Sequence, residues 1–319
     1  MSEQPELSVV IPCHDAAATI ELQLQALANQ RGAADFEVIV VDNRSTDSSR
    51  DTVDRWQGRV PGLRIVSAPE LPGAGYARNV GVAAARADKL LFCDADDLVA
   101  PDWVDAGAAA LDQVDLACGV DITLPEVAFD SLEAMWAEHF PVALSDRRVQ
   151  LRAKPSSYPI VLGGNLAIRR GTYLELGGYD ASMTLGNEDN DLAVRAEQAG
   201  HLIHRAPAMR IAIRERADLR GVYRRARVAA RGHIQLVDRH DLRDSSPHLR
   251  DGAWRFDLPR SLAATAAMVT KPGEQRDWPA IATRLGAAVG LWEGEWRSRR
   301  TGFGAPDLGR GLQPTGEKR

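Results

Sequence analysis

The chain has 319 residues, of which 45% are hydrophobic and 26% charged, with a formal net charge of −5. That is an ordinary globular composition, long enough for one large domain with an appendage or for two, and its acidic balance argues against a nucleic-acid partner. Cys13, Cys93 and Cys118 are odd in number and share no metal-ligand spacing, which argues against a disulfide framework or a zinc site and for reduced thiols in a cytoplasm.

The start, "MSEQPELSVV", has neither a basic n-region nor a long apolar h-region, and no later stretch approaches the ~18 apolar residues of a membrane span. A cytoplasmic protein, neither exported by a signal peptide nor integral, is expected. "LSVVIP" then reads as a buried strand, and "AATIELQLQALANQ" as a helix with Ile20, Leu24 and Leu27 on one stripe. "FEVIVVD" is a second strand, followed by a helix with Ser45 or Asp47 as its N-cap. "LRIVSA" is a third strand, "GAGYARNVGVAAARA" a helix with a glycine-rich entry, and Lys89 to Cys93 a fourth strand. Strands alternating with helices at this spacing predict an α/β fold with a doubly wound, mostly parallel sheet, because parallel neighbours need crossover helices.

The second half is less regular. "DLACGVDI" reads as a strand, "FDSLEAMWAEHF" as a helix, and Ala143 to Pro159 as a polar loop that could order over a ligand. "IVLGGNLAIRR" is a strand broken at Gly163 and Gly164, and "NEDNDLAVRAEQAG" a helix ended by Gly200. Beyond Ala217 the pattern is helical. The expected division is residues 1–216 as the catalytic domain, 217–302 as a helical extension and 303–319 as a disordered, Gly- and Pro-rich tail. Arg210 to Arg255 carries twelve arginines against six acids, a basic segment that could face an anionic surface or be a solvated helix face.

Sheets of this kind bind ligands at the carboxyl ends of their strands. Three polar clusters fall there: Pro12 to Asp15, Asp42 to Asp47, and Asp94 to Asp97. The last drives the apolar run "KLLFC" into Asp94, Asp96 and Asp97, three carboxylates that repel one another unless cations compensate. Asp94 and Asp96, two apart, can turn oxygens toward one divalent ion, since magnesium or manganese is typically held by one or two carboxylates plus substrate phosphates. The simpler reading makes Asp97 a turn cap and leaves the other two solvated.

Five stretches occur in one order: "SVVIPCHDAAATI", "VIVVDNRSTDSS", "GAGYARNVGVAAA", "FCDADD" and "GNEDNDLAVRAEQAG". Together they make the chain resemble a family 2 glycosyltransferase of the GT-A fold from Leu7 to about Arg216. The resemblance implies inverting transfer of a sugar from a nucleotide-diphosphate donor to an acceptor hydroxyl, the acceptor being a glycan, a lipid-linked sugar or a small molecule. It implies that Pro12, His14, Asp42 and Arg44 approach the nucleotide, with Arg78 and Asn79 near base and phosphates. Asp94 and Asp96 match the Asp-x-Asp motif, Asp96 as the direct ligand of Mn2+ or Mg2+, and Asp97 binds donor hydroxyls or supports the loop. Asp189 is implied as the base, sharing a helix face with Leu192, Ala193 and Ala196, with Glu188 and Asp191 competing, and Gly164 and Asn165 as acceptor contacts. The bland use of such acids is to complement a helix dipole.

Two departures stand out. Arg44 occupies a place where the family often has a small residue, and "MRIAIRERA" lacks the histidine that many GT-A enzymes offer as a further metal ligand. A sugar-phosphate nucleotidyltransferase would need a basic, glycine-rich loop after the first strand, which "IPCHDAAATI" lacks; a non-catalytic nucleotide-sugar-binding protein is the third reading. The C-terminal helices, with "AIATRLGAAVGLW", are expected to hold the acceptor, touch a membrane peripherally or form a homodimer.

Overall fold

The computed structural model describes residues 4–32, 34–142, 144–151, 158–184, 186–215, 218–246, 249, 263–270 and 276–313. It begins with β1 (Leu7–Cys13), α1 (Ile20–Ala28), β2 (Phe36–Asp42), α2 (Ser49–Arg55), β3 (Arg64–Ser67), α3 (Ala74–Ala84) and β4 (Lys89–Cys93). There follow β5 (Leu98–Val99), α4 (Trp103–Leu111), β6 (Leu116–Pro125), a 3-10 turn (Glu126–Phe129), α5 (Leu132–His139) and β7 (Gln150–Leu151). The remainder is β8 (Asn165–Arg169), α6 (Arg170–Glu175), α7 (Glu188–Gln198), β9 (His204–Glu215), α8 (Leu219–Arg239) and α9 (Trp278–Arg300). Asp47 accepts from the N–H of Ser49, so α2 begins two residues after the acid expected to cap it.

Eight strands lie in the order β3-β2-β1-β4-β8-β6-β9-β5, with β7 added on β9. The β3-β2-β1-β4 half is parallel; β8 then runs antiparallel to both β4 and β6, and β6 is parallel to β9. Strand side chains alternate between faces, and here both faces are apolar. Leu7, Val9, Ile11, Val38, Val40 and Leu91 pack beneath α1 and α4, while Val10, Ile39, Val41, Leu90 and Phe92 pack beneath α3, α6 and α7. This explains why the first strands are unbroken apolar runs rather than alternating ones.

The expected break at Gly163 and Gly164 is observed, and β8 starts one residue later. Because Cys93 pairs with Asn165, the end of β4 and the start of β8 are neighbours. A Cβ on Gly164 would lie 2.5 Å from a carboxylate oxygen of Asp94, so only glycine allows this approach.

The C-terminal helices form a close pair. Gly286, Gly290 and Gly294 recur every fourth residue, and a Cβ on Gly290 would sit 2.1 Å from the carbonyl oxygen of Arg227. The helices therefore touch backbone to backbone, with Arg227 and Arg231 paired to Glu293. Much of "AIATRLGAAVGLW" is consumed by this contact, although Trp278, Trp292 and Trp296 stay exposed. Ala143, residues 152–157 and residues 314–319 of the expected loop and tail lie outside the described residues.

The disordered tail is corrected over residues 302–313. The N–H of Ala181 donates to the Asp307 carbonyl, that of Gly309 to the Gly177 carbonyl, and Leu312 packs against the core beneath α3. Gly and Pro here shape a strap that crosses α3 and the turn after α6 and finds its partners far away in sequence. Ending the chain at Thr301 should lower stability by about 4 kcal/mol, from the lost Leu312 contact and the hydrogen bonds made by Asp307, Gly309 and Arg310, at about 1 kcal/mol each. Thermal unfolding checks this: a drop of several degrees is expected, and an unchanged midpoint would mean the strap contributes nothing.

Candidate active site

The parallel register of β1, β2 and β4 brings their carboxyl ends to one edge, where the loops that follow enclose a cleft of about 920 Å3. Its walls include Pro12, His14, Asp15, Asn43, Arg44, Gly73, Asp94, Asp96, Glu126 and Arg214. The loops are laced together. Asp15 accepts from the N–H of Thr46 at 2.7 Å and of Asp47 at 3.3 Å, and the Thr46 bond holds its carboxyl below the usual range. Asn43 donates to the carbonyls of Ala68 and Leu71 and accepts from the N–H of Gly73, tying the β2 and β3 ends to the start of α3.

Arg44 holds φ at +66°, the left-handed region that favours glycine. Its side chain is exposed at the cleft wall. The chain thus keeps the turn of a small residue while adding a guanidinium to the wall.

Behind the cleft lies Arg78, with a side chain only 3% exposed. Its guanidinium donates to Asp94 at 2.6 Å and to Glu188 at 3.2 Å, and it lies over the ring of Tyr179 at 5.3 Å. Burial works against its charge, but Asp94, followed by Glu188 among others, more than offsets this and raises its pKa above an already high value. Residues 94 and 188 are therefore joined through one cation.

Glu188 and Asp189 open α7, and Glu188 takes one terminal nitrogen of Arg78 while Asp94 takes the other. Asp189 accepts from the N–H groups of Asn190 at 2.8 Å and Gly163 at 3.2 Å. Burial, and then the charge of Asp189, push the Glu188 carboxyl up to about 7 against the pull of Arg78. Burial also raises Asp189, held back by the Asn190 N–H and by Arg78. Leu192, Ala193 and Ala196 are buried, so the face predicted to turn inward does so.

Pro12, His14, Arg44, Asp94 and Asp96 come together as expected. Asp42, Asn79 and Asn165 do not join them. Asp42 does not line the cleft: its carboxylate is 8% exposed and paired with Arg50. Asn79 is fully buried, accepting from Tyr173 Oη and the Tyr179 N–H and donating to the carbonyls of Tyr179 and Arg310. It braces α3 and has no free group for a donor. Asn165 is likewise fully buried, donating to the carbonyls of Val120 and Met209 and accepting from Trp103 Nε1, so it cannot meet an acceptor. Asp97, expected to bind donor hydroxyls or to support the loop, is 7% exposed, and burial followed by the charges of Asp94 and Asp96 pushes its pKa well above the ordinary value. Asp15 and Asn43 lie in the strand-end clusters expected at this edge, whereas Glu126 and Arg214 were not expected there and reach the cleft only through the sheet.

No cluster of three or more His, Cys, Asp or Glu able to hold a metal occurs among the described residues. Asp94 and Asp96 on one wall fit an ion completed by substrate oxygens and water, the usual arrangement for magnesium. No helix among the described residues is long and apolar enough to cross a membrane.

The model of glycosyl transferase family 2 matches residues 8–177. The validoxylamine A glucosyltransferase of Streptomyces hygroscopicus subsp. jinggangensis is 38% identical over 160 residues, 46% of this chain and 36% of that protein. This chain thus spans about a third of that relative's length. Glycosyltransferase AglE of Haloferax volcanii is 27% identical over 63% of this chain and 64% of its own. Among solved structures, the Pyrobaculum calidifontis mannosyltransferase in complex with GDP-Man and Mn2+ has a TM-score of 0.60 at 23% identity, covering 92% of this chain and 88% of that one. TarS of S. aureus in complex with UDP-GlcNAc has a TM-score of 0.53 at 17% identity, covering 92% of each. These structures have the GT-A fold.

Glu188 binds its proton more tightly folded than unfolded, where its ordinary value is 4.5. Its contribution to stability is therefore complete below that value and is lost as pH rises through about 7. Glu188→Gln removes this loss. In urea unfolding, the stability of the variant relative to the parent should rise between these pH values and level off above; a pH-independent difference would refute the assignment.

Proposed function

The chain belongs to glycosyl transferase family 2, and we propose that it inverts the anomeric carbon as it moves a sugar from a nucleotide-diphosphate donor to an acceptor hydroxyl. What carries this reading is the bridge through Arg78, which links the Asp94–Asp96 wall of the cleft to the acid pair Glu188–Asp189. Donor and acceptor chemistry need those two carboxylate groups side by side. The nucleotide occupies the loops around Pro12, His14 and Arg44, and its diphosphate lies toward Asp94 and Asp96. A divalent Mn2+ or Mg2+ ion held by Asp96 and Asp94 would supply positive charge to the leaving diphosphate.

Asp189 is the base. Its two N–H donors, from Asn190 and Gly163, orient the carboxylate, and partial burial raises its proton affinity above that of a solvated aspartate. The acceptor oxygen forms its bond to the anomeric carbon as the bond to the diphosphate oxygen breaks, and the acceptor proton passes to Asp189. One displacement gives inversion. Glu188, whose proton affinity burial and the neighbouring Asp189 raise, keeps the acid pair from carrying two full charges.

The acceptor approaches past Gly164, with Tyr158 nearby. Tyr158 Oη meets His233 Nδ1 of α8 at 2.9 Å, so the extension from residue 217 onward borders this side. The boundary at residues 216 and 217 is retained as the division between catalytic and helical parts. Location in the cytoplasm, with peripheral membrane or second-copy contact through α9, is supported by the buried free cysteines and by the exposed Trp278, Trp292 and Trp296. The relatives and solved neighbours span glucosyl transfer, GDP-Man and UDP-GlcNAc, so the donors to be tried differ in both base and sugar.

Two substitutions test the reading with a panel of nucleotide sugars and Mn2+, following nucleotide release. Asp96→Ala should abolish turnover while the thermal midpoint stays within a degree or two; unchanged turnover, or full activity in excess chelator, would remove the metal from the scheme. Asp189→Asn should lose ~10²–10⁴ in turnover with nucleotide binding intact. If Glu188→Gln is the inactive variant while Asp189→Asn keeps the parent rate, Glu188 is the base.

A further inference from the structure

The buried arginines of the fold mostly meet buried acids. Arg195 pairs with Asp191 (0% exposed), Arg239 with Asp180 (0%) and Arg210 with Asp102 (2%), arrangements in which neither partner can turn elsewhere. Arg214 differs. Its side chain is 9% exposed, yet its carboxylate partner, Glu126, is 69% exposed, and both line the cleft.

The sheet explains how Arg214 arrives there. Leu98 of β5 stands opposite Ala212 of antiparallel β9, so extending the same register by two residues sets 96 opposite 214. Arg214 Nε indeed donates to the carbonyl oxygen of Asp96 at 3.0 Å. The guanidinium lies over the ring of Phe129 at 4.1 Å, with Nη1 toward Glu126. Three contacts thus fix a planar cation beside the Asp94–Asp96 wall, before any ligand arrives.

We propose that Arg214 is a diphosphate-binding residue, which exchanges Glu126 for the leaving phosphate oxygens when the donor enters. Guanidinium forks suit phosphate oxygens, and an exposed carboxylate is cheaply released to water. The cleft-side end of β9, "MRIAIRE", offers no histidine, and the one in the strand, His204, stands at its opposite end. The cleft-side end supplies instead a fixed positive charge. The leaving group is then stabilised partly by the protein, and the nucleotide diphosphate keeps affinity without an ion. A solely structural Arg214, pinning the 94–97 loop to the 3-10 turn, would not discriminate one phosphate from two.

This assignment rests on the reading of the cleft as the nucleotide-sugar site. The experiment measures binding of UDP, UMP, GDP and GMP by calorimetry, in chelator and in Mn2+, using the base that the parent protein prefers. With Arg214→Gln, diphosphate affinity in chelator should fall by about tenfold or more, while monophosphate affinity stays within about twofold, too small a change for a lost charged hydrogen bond. Arg214→Lys, keeping the charge without the fork, should fall between. Glu126→Gln, which frees the guanidinium, should tighten diphosphate binding, and that gain should vanish in the double variant. Equal losses for mono- and diphosphate, or no loss for either, overturn the assignment while leaving the reading of the cleft intact. A parent protein that binds neither nucleotide overturns both. Should Arg214→Gln fail to fold, Glu126→Gln decides alone: unchanged diphosphate affinity refutes the exchange.

Discussion

One buried guanidinium compensates the charge that the rest of the site accumulates. Asp94, Asp97, Glu188 and Asp189 crowd a region from which water is largely excluded, and Arg78 is the cation among them, bonded to Asp94 and Glu188. Removing one partner of such a buried pair costs about 3–5 kcal/mol, because it strands the other charge. The positions around Arg78 follow from this. A Cβ on Gly75 would meet Glu188 at 3.2 Å, and one on Gly163 would meet the Arg78 guanidinium at 3.3 Å, so small residues let the charges close up. The nitrogen Nε of Arg78 is buried without a hydrogen-bond partner among the described residues. The site tolerates that cost for the sake of the bridge.

α7, which begins with the acid pair, is held from both ends of its own chain environment. Two residues beyond Asp189, fully buried Asp191 binds Arg195 on the same helix and His240 at the end of α8. Arg239 meets Asp180 in the turn before α7, and Asn187 donates to the carbonyl of Ala229. The helical extension therefore braces the segment that carries the base. On the other flank, residues 302–313 brace α3, which carries Arg78, through the Asn79–Arg310 bond. Both partners of the central ion pairs thus depend on C-terminal residues for their support.

The arginine-rich segment contributes less free charge than its composition suggests. Arg227 and Arg231 meet Glu293, Arg243 meets Asp238 and Glu295, Arg239 meets Asp180, and Arg210 meets Asp102. Most of the excess of arginine over acid is answered by carboxylates from distant parts of the chain. Arg224 remains on the exposed surface. The basic stretch is therefore chiefly an internal fastening, and any attraction of an anionic surface rests on fewer residues than a count along the sequence implies.

The local alternation of strands and helices was enough to predict parallel strands in the first half of the sheet, because each parallel crossover writes its own pattern of apolar runs, caps and glycines into contiguous residues. The carboxylate wall and the acid pair were legible for the same reason: Asp94 and Asp96, and Glu188 and Asp189, are neighbours in sequence. What the sequence alone could not decide is which polar residues face the cleft. Asn79 and Asn165 resemble binding residues in their motifs, yet both spend every hydrogen bond on carbonyls, hydroxyls and N–H groups brought from elsewhere by the fold. Arg214, read as part of a basic tail segment, enters the cleft through an antiparallel register between β5 and β9. Burial and partnership are properties of long-range contact, and no local pattern encodes the partner. The tertiary structure alone chose which charges would be compensated inside the protein and which would be left to meet a ligand.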